Sequence, residues 1–155
     1  MLKSIEGNFD NPDVHELLTK HFIELRAVSP KGSAHVLDIP GLKIPSIKFW
    51  SLWQNNMLIG CGALKFLNKT HGEFKSIRIH DNFRKTGNGT KIINNLINKA
   101  KKLNITRLNL ETGAGDFFIP ARKLFKKCGF EICKPFAHYK EDINSVYFTK
   151  TLENN

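Results

Sequence analysis

The sequence predicts one α/β domain in which a central mixed, mostly antiparallel sheet of about six or seven strands is flanked by about four helices. Three observations predict it. Segments of period two cluster in the middle of the chain, separated by short polar turns. Segments of helical period lie on either side of them. One long helical pattern sits between two strand patterns, as in the unit that joins parallel strands. A length of 155 residues suits one domain, 1–155, with a substantial core.

The elements follow in order. Residues 2–6 (LKSIE) read as a first strand, and Asn11-Pro12-Asp13 then starts a helix, proline being tolerated in a first turn. Val14, Leu17, Leu18, His21, Phe22 and Leu25 recur at helical spacing along it. Pro30, Gly32, Pro40, Gly41 and Pro45 punctuate residues 29–46, a loop region with one short helix. Residues 47–53 (IKFWSLW), 57–67 (MLIGCGALKFL) and 73–79 (EFKSIRI) are strands joined by short turns, hence an antiparallel meander. In the third, strict alternation puts Phe74, Ser76 and Arg78 on one face and Glu73, Lys75, Ile77 and Ile79 on the other. Ile92, Ile93, Leu96, Ile97, Ala100 and Leu103 form the apolar stripe of a long helix, with Lys99, Lys101 and Lys102 suiting its C-terminal dipole and Asn104 its cap. Residues 105–111 form the next strand, a helix spans about 117–127 and ends at Gly129, and residues 130–133 and 145–150 close the sheet.

Composition narrows the function classes. Hydrophobic residues at 41% and charged residues at 25% are a globular balance. No apolar run approaches the roughly 18 to 20 residues of a membrane span, and MLKSIEGNFD lacks the apolar core of a secretory signal. The three cysteines, Cys61, Cys128 and Cys133, have no metal-ligand spacing and suit reduced thiols in the cytoplasm; no metal site is expected. The net charge of +10 invites a nucleic-acid reading, but lysines spread along the chain carry it, whereas arginine is the better reader of bases and phosphates. Solvated helix faces account for the charge as well, and an anionic cofactor or substrate would share its benefit.

The segment that carries chemistry is Arg84-Lys85-Thr86-Gly87-Asn88-Gly89-Thr90, between a strand and the long helix. Unpaired N–H groups and the macrodipole make a helix N-terminus an anion site. Gly87 and Gly89 let the backbone approach phosphate oxygens, and Arg84 and Lys85 add charge. No Lys-Ser/Thr follows a nucleotide P-loop spacing, and the dinucleotide fingerprint G-x-G-x-x-G is incomplete. On spacing alone, a glycine turn without a ligand stays open.

R-x-x-G-x-G in this setting resembles the Q/R-x-x-G-x-G/A pyrophosphate loop of the GNAT superfamily of N-acyltransferases. Residues 73–93 (EFKSIRIHDNFRKTGNGTKII) look like its strand–loop–helix core, and residues 121–130 (ARKLFKKCGF) like its second helix ending in Gly-Phe. Residues 110–147 resemble a small bacterial branch with the pattern L-E-T-G … P-A-x-x-L-Y … G-F … C-x-P-F … Y … D-x-x-S, some members of which carry indoleacetate or amino-acid acetyltransferase labels. The resemblance covers roughly residues 2 to 151. It implies transfer of an acetyl group from acetyl-CoA to a primary amine of a small molecule, amino-acid-like or carboxylate-bearing, by direct attack through a tetrahedral intermediate.

The resemblance also implies roles. The amides from Lys85 to Thr90 (Lys85, Thr86, Gly87, Asn88, Gly89, Thr90) would bind the CoA pyrophosphate beside the side chains of Arg84, Lys85 and Thr90. The backbone of Ile77, Arg78 and Ile79 would hold pantetheine like an added strand, one N–H stabilising the oxyanion. Glu73 matches a position where several such enzymes place a base; a solvated strand end is the other reading. Glu111, at a strand's C-terminal end, is a second carboxylate for substrate contact. Phe125 stands where many members have a tyrosine acid, so Tyr139 is the substitute acid, unless it is a core or lid aromatic. Asn88 replaces a usual apolar residue, and Phe118 an asparagine that often contacts CoA. Arg78, charged within a half-buried strand, either recognises an acceptor carboxylate or pairs with Glu6, Glu73 or another acid. Two rivals stay open: a CoA-binding module of low turnover, which Phe125 favours, and an acetyltransferase of a protein or ribosome-associated target, which the charge favours. Neither a membrane nor a nucleic acid is expected as partner, and monomer and homodimer are both open.

Overall fold

The computed structural model describes residues 1–153; the last two residues of the expected 1–155 domain lie outside the described residues. The strands are β1 (Leu2–Glu6), β2 (Ile47–Gln54), β3 (Met57–Phe66), β4 (His71–Ile79), β5 (Arg107–Gly113), β6 (Glu131–Cys133) and β7 (Ser145–Thr151), and the helices α1 (Pro12–Val28), α2 (Ile39–Leu42), α3 (Asn88–Lys102) and α4 (Ile119–Lys127). All seven strands join one sheet in the order β1-β2-β3-β4-β5-β7-β6. Only β4 and β5 pair in parallel, through the crossover that carries α3. Among the described residues, no helix is long and apolar enough to cross a membrane.

Local chemistry explains the boundaries. The Asn11 side chain accepts hydrogen bonds from the Asp13 and Val14 amides and caps α1, with Pro12 following. Asn55 and Asn56, both left-handed at φ 52° and 62°, make the tight β2–β3 hairpin. Asn104 adopts φ 66° just past the C-cap Leu103, the left-handed position that ends many helices.

The sheet separates two apolar layers. On one face Ile92, Ile93, Leu96 and Ile97 of α3 pack on Leu64, Phe74, Leu108, Leu110 and Phe148. On the other, Val14, Leu17 and Leu18 of α1 pack with Leu42, Phe49, Cys61 and Ala63.

The strict alternation expected over residues 73–79 is broken. Lys75 lies opposite Ala63 and Arg78 opposite Cys61, so Ser76 and Ile77 together face the single residue Gly62 in a bulge, with Ser76 at φ 53°. The extra residue reverses the parity of everything after it. Glu73, Lys75 and Arg78 therefore share the α1 face, while Phe74, Ile77 and Ile79 share the α3 face. The expected pairing of Phe74 with Arg78 on one face is corrected accordingly.

Candidate active site

β4 and β5 pair only from His71/Arg107 to Glu73/Asn109 and then separate. From Phe74 to Ile79 the β5-facing edge of β4 has no strand partner among the described residues, which frees the backbone of Ile77, Arg78 and Ile79 for an extended ligand. A cavity of about 500 Å³ occupies this gap. It runs from Glu73, Lys75 and Glu111 at the point of separation to Arg84, Gly87 and Thr90 at the loop before α3. Phe118 and Phe125 both line it.

The loop has the geometry an anion needs. Lys85 and Gly87 are left-handed at φ 61° and 81°, and α3 starts at Asn88 with no side chain capping its first turn. Its N-terminal amides therefore lack side-chain partners and are available to an anion. Around Gly87 nothing lies within 4 Å of where a Cβ would stand, so its left-handed backbone is what asks for glycine. At Gly89 the demand is space: a Cβ would come within 2.7 Å of Leu124 Cδ2, where α4 packs against α3. The Asn88 amide donates to Thr86 Oγ1 at 2.7 Å, and that hydroxyl donates to the Phe83 carbonyl at 2.7 Å. Polar Asn88, unusual by family resemblance, thus braces the loop from a buried position.

The charged residues sort into three groups. Glu73 is 1% exposed, so it is not a solvated strand end. Its Oε2 accepts from Tyr139 Oη at 2.6 Å and from Lys75 Nζ at 3.2 Å, and Lys75 also donates to the phenol oxygen at 3.1 Å. Tyr139 is buried against Phe136, Tyr147 and the edge of His35. Burial first, then the charge and hydrogen bond of Glu73, raises its phenol above the ordinary range, so it holds its proton firmly. Tyr139 is both a packed aromatic and a member of this polar cluster.

Glu111 stands two residues beyond the last β4–β5 pair, on the same face as Glu73. Its Oε2 accepts from Ser145 Oγ at 2.8 Å. Burial raises its carboxyl to about 7, against the opposing hydrogen bond from Ser145. Arg78, 4% exposed, donates from Nη2 to Glu24 of α1 at 3.0 Å and to Asp81 at 3.2 Å. Its acids are therefore neither Glu6, which pairs with Lys48, nor Glu73. Asp81 also binds Arg84 at 3.1 Å and Lys20, tying the loop before α3 to β4 and α1.

Phe125 is a core aromatic, 7% exposed and packed against Phe130 and Phe148, and offers no proton. Sequence reasoning assigned no role to Lys75, Asp81 or Ser145. The Glu73-x-Lys75 spacing was a legible signal, since residues two apart share a strand face. Ser145 reaches Glu111 only through the β5–β7 register, which no local spacing reveals.

Residues 11–130 match the acetyltransferase (GNAT) family. The uncharacterized N-acetyltransferase YsnE of Bacillus subtilis is 43% identical over 90% of this chain and 92% of its own length. The uncharacterized N-acetyltransferase YedL of Escherichia coli is 38% identical over 94% and 92%. Among solved structures, a GNAT family acetyltransferase from Elizabethkingia anophelis with acetyl-CoA bound shares the fold at a TM-score of 0.67 and 19% identity, covering 97% of this chain and 98% of that one.

Proposed function

The chain belongs to the GNAT family and is an N-acetyltransferase that uses acetyl-CoA, and from that premise we propose that its acceptor is a primary amine on a small molecule, bound where β4 and β5 part. One observation carries this reading: a single cavity joins the phosphate loop to the Glu73 and Glu111 carboxylates. Its volume of about 500 Å³ lies in the range of small-ligand sites. Ser33, on the segment after α1, donates to Asp142 at 2.7 Å and accepts from Asn144 at 3.3 Å, so two loops meet beside it.

In this reading the amides of residues 85–90 hold the pyrophosphate, with Arg84 and Lys85 adding charge. The free edge of β4 at Ile77, Arg78 and Ile79 aligns the pantetheine arm, and the walls at Phe118 and Phe125 exclude water from it. When bound, acetyl-CoA supplies the acetyl group. Glu73, Lys75 and Tyr139 form the polar floor on which the amine rests.

Calorimetry with acetyl-CoA followed by thiol release over a panel of amines tests this. Small amines should support turnover while lysine-containing peptides and ribosomal proteins give little. Binding without thiol release from any amine would leave a CoA-binding module instead, and faster turnover on the protein targets would overturn the small acceptor.

A further inference from the structure

Resting on the reading of a small-amine acceptor, we propose that Glu111 is the catalytic base that takes the proton from the acceptor's ammonium, and that Ser145 is the positioning residue that orients its carboxylate. Glu73 and Glu111 face the same gap, but their surroundings differ. The Glu73 charge is engaged: Lys75 Nζ and Tyr139 Oη both donate to its Oε2, and the side chain is 1% exposed. Two donors hold that carboxylate within the protein, and its Oε1 is buried as well. Glu111 forms no ion pair among the described residues, and Ser145 Oγ is the donor that holds it, at 2.8 Å on Oε2. The opposite oxygen is left for a ligand in the cavity that the residue lines.

The position fits the task. Glu111 lies past the point where β5 leaves β4, so it borders the gap on that side while β7 pairs with it on the other. The groups facing it are Lys75 and Glu73 from β4, Tyr139 and Asp142 from the segment between β6 and β7, and Tyr147 from β7. Burial dominates their combined influence and brings the carboxyl to about 7, close to where a base is most effective at neutral pH. Ionised Glu111 removes one proton from R–NH₃⁺. The amine lone pair then adds to the acetyl carbonyl carbon, and the resulting oxyanion collapses with cleavage of the C–S bond. The leaving thiolate takes the second proton from nitrogen, and Glu111 returns the first to solvent.

The test is kcat/KM against pH for wild type, Glu111→Gln, Ser145→Ala and Ser145→Thr, using an amine that supports thiol release. Wild type should lose activity below about pH 7, as Glu111 protonates. Glu111→Gln should lose about 10²–10⁴-fold while binding acetyl-CoA as wild type does by calorimetry. An amine already neutral at pH 7 should lose far less in that variant. Ser145→Ala should move the acidic limb to higher pH, and Ser145→Thr should restore it. A Glu111→Gln enzyme that binds acetyl-CoA and stays within a few-fold of wild type on charged amines overturns the proposal. Glu111→Asp, which keeps a carboxylate, should keep the limb and serves if the glutamine variant fails to fold; a limb absent from an active aspartate variant, or unmoved in Ser145→Ala, would also overturn it. Absence of thiol release from wild type on any amine would instead defeat the small-acceptor reading.

Discussion

Two buried side chains on the α1 face carry opposite lessons about charge. Lys75 pairs with Glu73 in a site almost closed to water, so removing the ammonium leaves a buried carboxylate without its cation. Breaking a buried pair in this way costs about 3–5 kcal/mol. Lys75→Met should therefore lower the thermal midpoint by roughly 6–20 °C, at about 2–4 °C per kcal/mol for a chain of this size, and calorimetric scanning reads it. His21 shows the reverse case. Burial, with Arg78 nearby, lowers its pKa to about 4, so the folded protein holds it neutral while the unfolded chain protonates near 6.5. The stability this provides is complete above about pH 6.5 and is lost as pH falls through about 4. The loss is on the order of 3 kcal/mol at about 1.4 kcal/mol per pKa unit. A His21→Gln variant should show a flatter stability profile over that interval in denaturant titrations at stepped pH.

At the scale of elements, most of the fold was legible from local pattern. The meander, the α3 stripe and the strand–helix–strand crossover all follow from periods of two and 3.6 that the sequence repeats clearly. The bulge at Ser76 was not legible, because it is defined against Gly62 on another strand. It reversed the faces of β4 and thereby placed Arg78 with Glu73 and Lys75. The order β5-β7-β6 was hidden for the same reason, as a last strand inserting between two others depends on long-range register. In the site, the loop before α3 could be placed because its residues are contiguous, whereas Glu73–Tyr139 and Glu111–Ser145 each join residues more than thirty positions apart. That contiguous loop supports a prediction of its own. At φ 81° in Gly87 an added Cβ meets no atom within 4 Å, so Gly87→Ala acts through backbone strain, roughly 1–2 kcal/mol. If the loop relaxes to relieve it, the α3 amides turn from the pyrophosphate. Calorimetry should then show acetyl-CoA binding weakened about tenfold, with melting lowered by only a few degrees. Unchanged affinity would mean that the loop's left-handed backbone does not present those amides.

At the scale of the molecule, the net charge of +10 acts on the two substrates with opposite sign. Acetyl-CoA is a polyanion, and Arg84, Lys85 and Lys127 line the cavity proposed for it. Further lysines crowd the last turns of α3 and α4, at Lys99, Lys101, Lys102 and Lys126. Lys99 and Lys101 are half-buried and the others exposed, so each is individually weak, but their summed field reaches outward and acts on an approaching anion. An acceptor ammonium is repelled by the same field until it comes within reach of the Glu73 and Glu111 carboxylates at the floor. Added salt screens the long-range part and leaves the short-range part nearly intact: the Debye length falls from about 30 Å at 0.01 M to about 10 Å at 0.1 M. Raising ionic strength over that range should therefore lower kcat/KM for acetyl-CoA several-fold while leaving the value for the amine unchanged or higher. Initial rates with each substrate varied in turn, at constant pH, separate the two. A parallel fall for both substrates would mean that salt acts on the fold or on the buried ion pairs, and that the excess lysines do not steer the donor.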